Sequence, residues 1–178
     1  SGTVTLKATG NDGYHFCGWT SSKGIAASRS ETIEVPASES AHYVAQYGRW
    51  IYDSAAKTLT LDRGSKQWVI PVYSESGGDL TLGRGPEGAG DCDFTACFAE
   101  TGYRVTRVGF NDASYGFIGS RQTSFIAPDL TIVDKQAFNG CNAMTNLVVS
   151  PALTKFEWIS MSATTALKWM TPTVFTNV

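Results

Sequence analysis

Residues 105–178 repeat themselves at a spacing of 23, and this period constrains the fold more than any other feature of the chain. Pro128 maps to Pro151, Leu130 to Leu153, Thr131 to Thr154, Val133 to Phe156, Phe138 to Met161, Met144 to Leu167 and Leu147 to Met170. Ala137 and Cys141 map to the small residues Ser160 and Thr164. A fainter upstream copy pairs Phe110 with Val133 and Ile126 with Val149. Each unit holds a short strand (Met144-x-x-Leu147-x-Val149), a turn at Pro and a return segment carrying Ala-Phe. One such unit cannot bury its apolar side alone but stacked neighbours can, so the period predicts a solenoid.

The residues ahead of the repeats alternate with period two. Val4, Leu6 and Ala8 share a face, Asn11-Asp12-Gly13 is turn chemistry, and Tyr14, Phe16 and Gly18 alternate with His15, Cys17 and Trp19. Thr32–Val35 and the Tyr43, Ala45, Tyr47 face complete a small antiparallel sheet. Trp50–Asp53 and Thr58–Leu61 read as a hairpin. Trp68–Tyr73 reads as an edge or end strand because Pro71 lacks an N–H, and 93–100 reads as one short helical turn. The predicted architecture is mainly β: a small antiparallel module over 1–48, then cap strands and a short capped repeat solenoid over 49–178, with Trp50 in the second unit.

Recognisable motifs lie in both parts. Gly13, Tyr14, Phe16, Gly18 and Trp19 spell Gly-Tyr-x-Phe-x-Gly-Trp, and with GTVTLKAT, ETIEV and HYVAQY they resemble the InlB B-repeat-like module of bacterial surface proteins. That family has a further strand ahead of Gly-Thr-Val-Thr, so the resemblance implies a truncated or rearranged module. LTIVDKQAFNGCNAMTNLVVSP, through Ala137, Phe138, Gly140, Cys141 and Met144, resembles the BspA-type leucine-rich repeat, and WIYDSAAKTLTL resembles its N-terminal cap strands. In the second repeat Ser160-Met161 replaces Ala-Phe and Thr164 replaces Cys. The resemblances imply an exported segment at a bacterial cell surface.

The chemistry-bearing residues favour a non-enzyme. Gly83, Gly85 and Gly88 form a G-x-G-x-x-G string, but Pro86 and Gly90 spoil the helix a dinucleotide site needs, and Leu80-Thr81-Leu82 reads as too short and polar for a buried parallel strand. Asp91, Asp93 and Glu100 are the nearest carboxylate cluster and read as solvated loop residues. No Gly-x-Ser-x-Gly elbow occurs, and His15 reads as exposed. Cys92 and Cys97, in a loop, are read as bridged or free, whereas Cys17 and Cys141 are read as small buried hydrophobes. No zinc spacing is present, so no metal and no cofactor are expected.

A formal net charge of −2 gives no pull towards nucleic-acid phosphates. No apolar run reaches the ~20 residues of a membrane span, and with neither an initiator Met nor a leader the chain reads as a processed piece. The expected function is binding or adhesion, with repeat strands presented to a protein or glycan partner. The alternatives are a passive spacer in a larger surface protein or, less favoured, part of a carbohydrate-active enzyme. With the Leu-like anchors inward, the outward residues Arg107, Asn146, Val148, Lys168 and Trp169 are the candidate contacts, and stacking predicts Arg107, Asn146 and Trp169 in one row.

Overall fold

The computed structural model describes residues 2–10, 12–22, 30–38, 40–64, 66–85, 92–109, 116–117, 122–157 and 169–171, with Thr20 and 169–171 described by backbone alone. The chain is mainly β, with antiparallel and mixed pairings. It divides into two compact units: Ser1–Arg49 with Leu61–Gln67, and Trp50–Thr60 with Trp68–Val178.

The first unit contains β1 (Thr3–Lys7), β2 (His15–Ser21), β3 (Thr32–Pro36) and the first part of β4 (Tyr43–Asp53). β1 pairs antiparallel with β3, and β2 antiparallel with β4. Ala8, Trp19 and Ile33 form its core, with Leu6, Phe16, Val35, Tyr43, Ala45 and Tyr47 packed around them. Strict alternation would set Trp19 opposite Phe16. Instead, both rings lie on one face, with centroids 5.9 Å apart. The cause is a β-bulge between Phe16 and Gly18, made possible by Gly18 at φ +122°. His15, expected to be exposed, is half-buried.

The boundary read at 48 also changes. Residues 61–67 return to the first unit. Asp62 accepts a hydrogen bond from the Tyr14 hydroxyl (3.1 Å) and pairs with Arg49 (3.7 Å), whose guanidinium lies 5.3 Å from the Tyr14 ring centre. A Cβ on Gly48 would stand 2.9 Å from Leu61 Cδ1 and 3.0 Å from Cys17 Sγ, so the glycine admits Leu61. Hydrophobic pattern alone could not assign this segment, because Leu61 continues the alternation of β5 and the Asp62 partners are polar.

The second unit takes the rest of β4, β5 (Thr58–Asp62, up to Thr60), β6 (Gln67–Ser76, from Trp68), β7 (Asp79–Leu82), β8 (Cys92–Asp93), α1 (Cys97–Thr101), β9 (Arg104–Val108), β10 (Ser124–Ile126), β11 (Ile132–Val133), β12 (Asn146–Val148), β13 (Lys155–Phe156) and β14 (Trp169–Thr171). Its strands lie as neighbours in two series, β13-β11-β9-β7-β6-β5-β4 and β14-β12-β10-β8. β6 is therefore an interior strand, not an edge. Val72 donates its N–H to Lys57 O (2.8 Å), so the N–H that Pro71 lacks would face β7, whose pairing with β6 begins at Val72 opposite Leu82. Beyond it, Gly83 N–H donates to Pro71 O at 2.7 Å.

Short and polar for a buried parallel strand, β7 nonetheless pairs parallel with β9. It succeeds because only one face is buried: Leu80 and Leu82 are fully covered while Asp79 is exposed and Thr81 half-buried. Trp50 belongs to this unit. Its ring stacks on Phe94 (centroids 4.5 Å), its Nε1 donates to Asp93 O (2.9 Å), and its backbone N–H donates to Glu100 (2.6 Å). Phe94, Phe117, Phe125 and Phe138 continue the aromatic core through edge and stacked contacts.

Candidate functional site

Two parallel ladders run through the repeats. In one, Ser124 lies opposite Asn146 and Asn146 opposite Trp169, and the next rungs are Phe125–Leu147–Met170 and Ile126–Val148–Thr171. In the other, Ile132 lies between Arg107 and Lys155, and Val133 between Val108 and Phe156. The period of 23 read from residues 130–170 matches both ladders between their last two strands. The upstream copy differs: Ile126 pairs with Val148 rather than Val149, and Val133 pairs with Val108, while Phe110 lies outside the described residues. The connections in the first copy are of different lengths, so one fixed spacing cannot align it.

Threonines mark the start of each rung. Thr131 and Thr154 both turn the backbone N–H and Oγ1 onto the carbonyl of the threonine one repeat earlier, Thr106 and Thr131 respectively. Thr145 does the same to Thr123 O. A β-branched hydroxyl residue fits this place, because its oxygen adds a hydrogen bond to the ladder without lengthening the turn.

The predicted contact residues do not share one row. Asn146 and Val148 are half-buried on β12, and Asn146 Nδ2 donates to Ser124 Oγ at 3.3 Å. Trp169 stands opposite Asn146 in register, with its side chain outside the described residues, as is all of Lys168. Arg107 belongs to the other ladder, and its Nε donates to Asp134 Oδ2 at 2.5 Å. The prediction equated Val105-x-x-Val108 with Met144-x-x-Leu147, but these segments form the two different strands of a repeat. Arg107 is thus separated from the Asn146 row and holds a carboxylate. Beneath the Asn146 row, Met144, Leu147 and Val149 face inward as expected, the first two fully buried.

Other chemistry-bearing groups are engaged within the fold. Gly83 and Gly85 spend their N–H groups on Pro71 O and Gly116 O, and Gly88 lies outside the described residues. Asp93 caps Thr95 through both its N–H and Oγ1 (3.0 and 2.6 Å), and Glu100 accepts from Trp50. Asp91 lies outside the described residues. The four cysteines are free thiols, with Cys92 on β8 and Cys97 opening α1 rather than in a loop. Burial pushes the Cys97 thiol up to about 12. Among the described residues no cluster of His, Cys, Asp and Glu could hold a metal.

Sequence reasoning missed two polar clusters. Asp134 is fully buried and receives both Arg107 and Lys155 (3.1 Å), and Lys155 also pairs with Glu157 at 2.7 Å. The 23-residue register that sets Lys155 opposite Ile132 carries this information, but only once the ladder is known. The second cluster gathers Tyr52 (2.5 Å) and Lys57 (3.0 Å) on Glu75 Oε2, with the Tyr103 ring 4.6 Å from that of Tyr52. These bonds, the Tyr52 hydroxyl foremost, hold Glu75 below the usual carboxylate range. Burial and then Glu75 push Tyr52 far up.

The first unit carries the decisive comparison. Gly13 at φ +81°, the Tyr14–Asp62 bond, the Gly18 bulge and Trp19 Nε1 on Ser30 O (3.0 Å) account for each residue of the Gly-Tyr-x-Phe-x-Gly-Trp motif except Phe16, which packs on Trp19 and Tyr47. Residues 1–47 match the family model of the divergent InlB B-repeat domain. The B-repeat match thus covers β1 to β3 and the opening of β4. No curated protein and no solved structure matches the chain.

Proposed function

We propose that the chain is a non-enzymatic binding or adhesion segment of an exported bacterial surface protein, in which a B-repeat precedes a short solenoid of BspA-type leucine-rich repeats. The observation that carries the solenoid reading is the pair of parallel ladders with buried apolar rungs Phe125–Leu147 and Val108–Val133. Stacked repeats of this kind present an extended ribbon to a partner. Asn146 and Val148, half-buried on β12, with Trp169 and Thr171 opposite them in register, form the proposed contact strip, while Ser124 and Ile126 on β10 are buried. Arg107 is left out of it, because its guanidinium serves Asp134.

The partner is a protein or glycan, met on β12 by the half-buried Asn146 amide. No helix among the described residues is long and apolar enough to cross a membrane. The test is a glycan and extracellular-protein panel with the wild type, Asn146→Arg and Trp169→Ala, each checked by thermal melting. A ligand retained by the wild type and lost by folded variants is the expected result. Equal binding by all three would move the site elsewhere, and a panel without any ligand would favour the spacer reading.

A further inference from the structure

Among the described residues the ladder between β11 and β13 pairs Ile132 with Lys155 and Val133 with Phe156. Its backbone bonds are generic: Thr154 N–H to Thr131 O and Glu157 N–H to Val133 O would form in any register. A slip by one residue turns the half-buried Phe156 away from the fully buried Val133 and is disfavoured by lost burial. A slip by two preserves the alternation and needs another barrier. In one direction Thr154 replaces Phe156 on the inner side, which costs apolar burial. In the other direction Trp158 replaces Phe156, and the apolar pattern of the two paired positions offers no objection, although the Thr154 Oγ1 bond to Thr131 O would be lost.

That second slip also brings Glu157 to the place of Lys155, beside Asp134. Asp134 has no exposed surface and is held by Arg107 on one side and Lys155 on the other. A second carboxylate there would face the buried one, a like-charge contact with little water to screen it. We infer that the Arg107–Asp134–Lys155–Glu157 chain is a register lock, in which alternating charge selects the one stacking of β13 on β11 that the apolar residues at the two paired positions leave undecided. Polar groups that choose register at some expense of stability are known from helical assemblies. Here the same physics acts across a parallel ladder.

The inference is tested on the full chain with Glu157→Gln and Glu157→Lys, which keep Arg107, Asp134 and Lys155. A lysine at 157 gives Asp134 a cation in either register. Amide NMR of residues 153–157 should show one set of signals in the wild type. A second set should rise through Glu157→Gln to at least a tenth of the population in Glu157→Lys. A single native set in all three proteins would overturn the lock. Global unfolding of Glu157→Lys would overturn it too, because Glu157 would then support the fold itself rather than choose its register.

Discussion

Gln122 sits where its side chain is least at home. It is fully buried, and neither amide atom has a hydrogen-bond partner among the described residues. Extending the β10–β12 register by two residues aligns it with Met144, which is equally buried in the next repeat. An orphaned buried amide costs about 1–3 kcal/mol, and a thioether of similar length fills the same row one repeat later. Gln122→Met is therefore expected to stabilise the protein by about 1–2 kcal/mol, seen as a raised urea midpoint. A lowered midpoint would mean the amide has a partner that the substitution removes. Gly18 is the converse case, a residue matched to its place by backbone alone. A Cβ there would touch nothing within 4 Å, so only the φ of +122° resists it. Gly18→Ala should cost about 1–3 kcal/mol through strain at the bulge, with faster alkylation of Cys17 as the local readout.

At the level of elements, the segment 61–67 acts as a strap on the first unit, and Asp62 is its fastening. The Gly64 N–H (2.9 Å) chiefly holds the Asp62 carboxyl below its ordinary range, helped by Tyr14, Gln67 and Arg49 against the opposing effect of burial. A carboxyl with a depressed folded pKa contributes stability that is fully present above the unfolded value of ~3.9. It is lost as pH falls through the folded value, where the folded and unfolded forms come to bind the proton alike. Melting of the first unit should therefore drop as pH is lowered from about 5 to below 3. Asp62→Asn should be less stable at neutral pH and show a flatter acid limb. An unchanged acid limb in that variant would assign the effect to other carboxylates. The strap escaped the sequence reading because Leu61 continues the alternation of β5, and nothing in a hydrophobic pattern says where along a strand its contacts change unit. The bulge at Gly18 escaped for a related reason: one extra residue inverts the facing of all that follows, and alternation is blind to it.

For the whole molecule, the cysteines make a natural reporter of both units. Cys17 is half-buried in the first, while Cys92, Cys97 and Cys141 are buried in the second, with Cys97 further protected by its raised pKa. Brief alkylation of native protein at pH 8 should modify Cys17 first and leave the other three nearly unreacted, since the thiolate is the nucleophile. Denaturation without reductant should expose all four, as read by intact mass. A pair that stays unmodified would reveal a disulfide and contradict the free thiols. What the sequence alone determined is what repeats or alternates: the 23-residue period with its Thr131–Thr154 and Leu147–Met170 matches, the inward set of Met144, Leu147 and Val149, and the Gly-Tyr-x-Phe-x-Gly-Trp motif, because burial of apolar groups at fixed spacing is a one-dimensional signal. What only the tertiary structure decided is which strand lies beside which. It divided the repeats into two ladders, moved Arg107 out of the Asn146 row and onto Asp134, and gave 61–67 to the first unit. Charges and hydrogen bonds act between residues far apart in the chain, so their partners exist only after the backbone has brought them together.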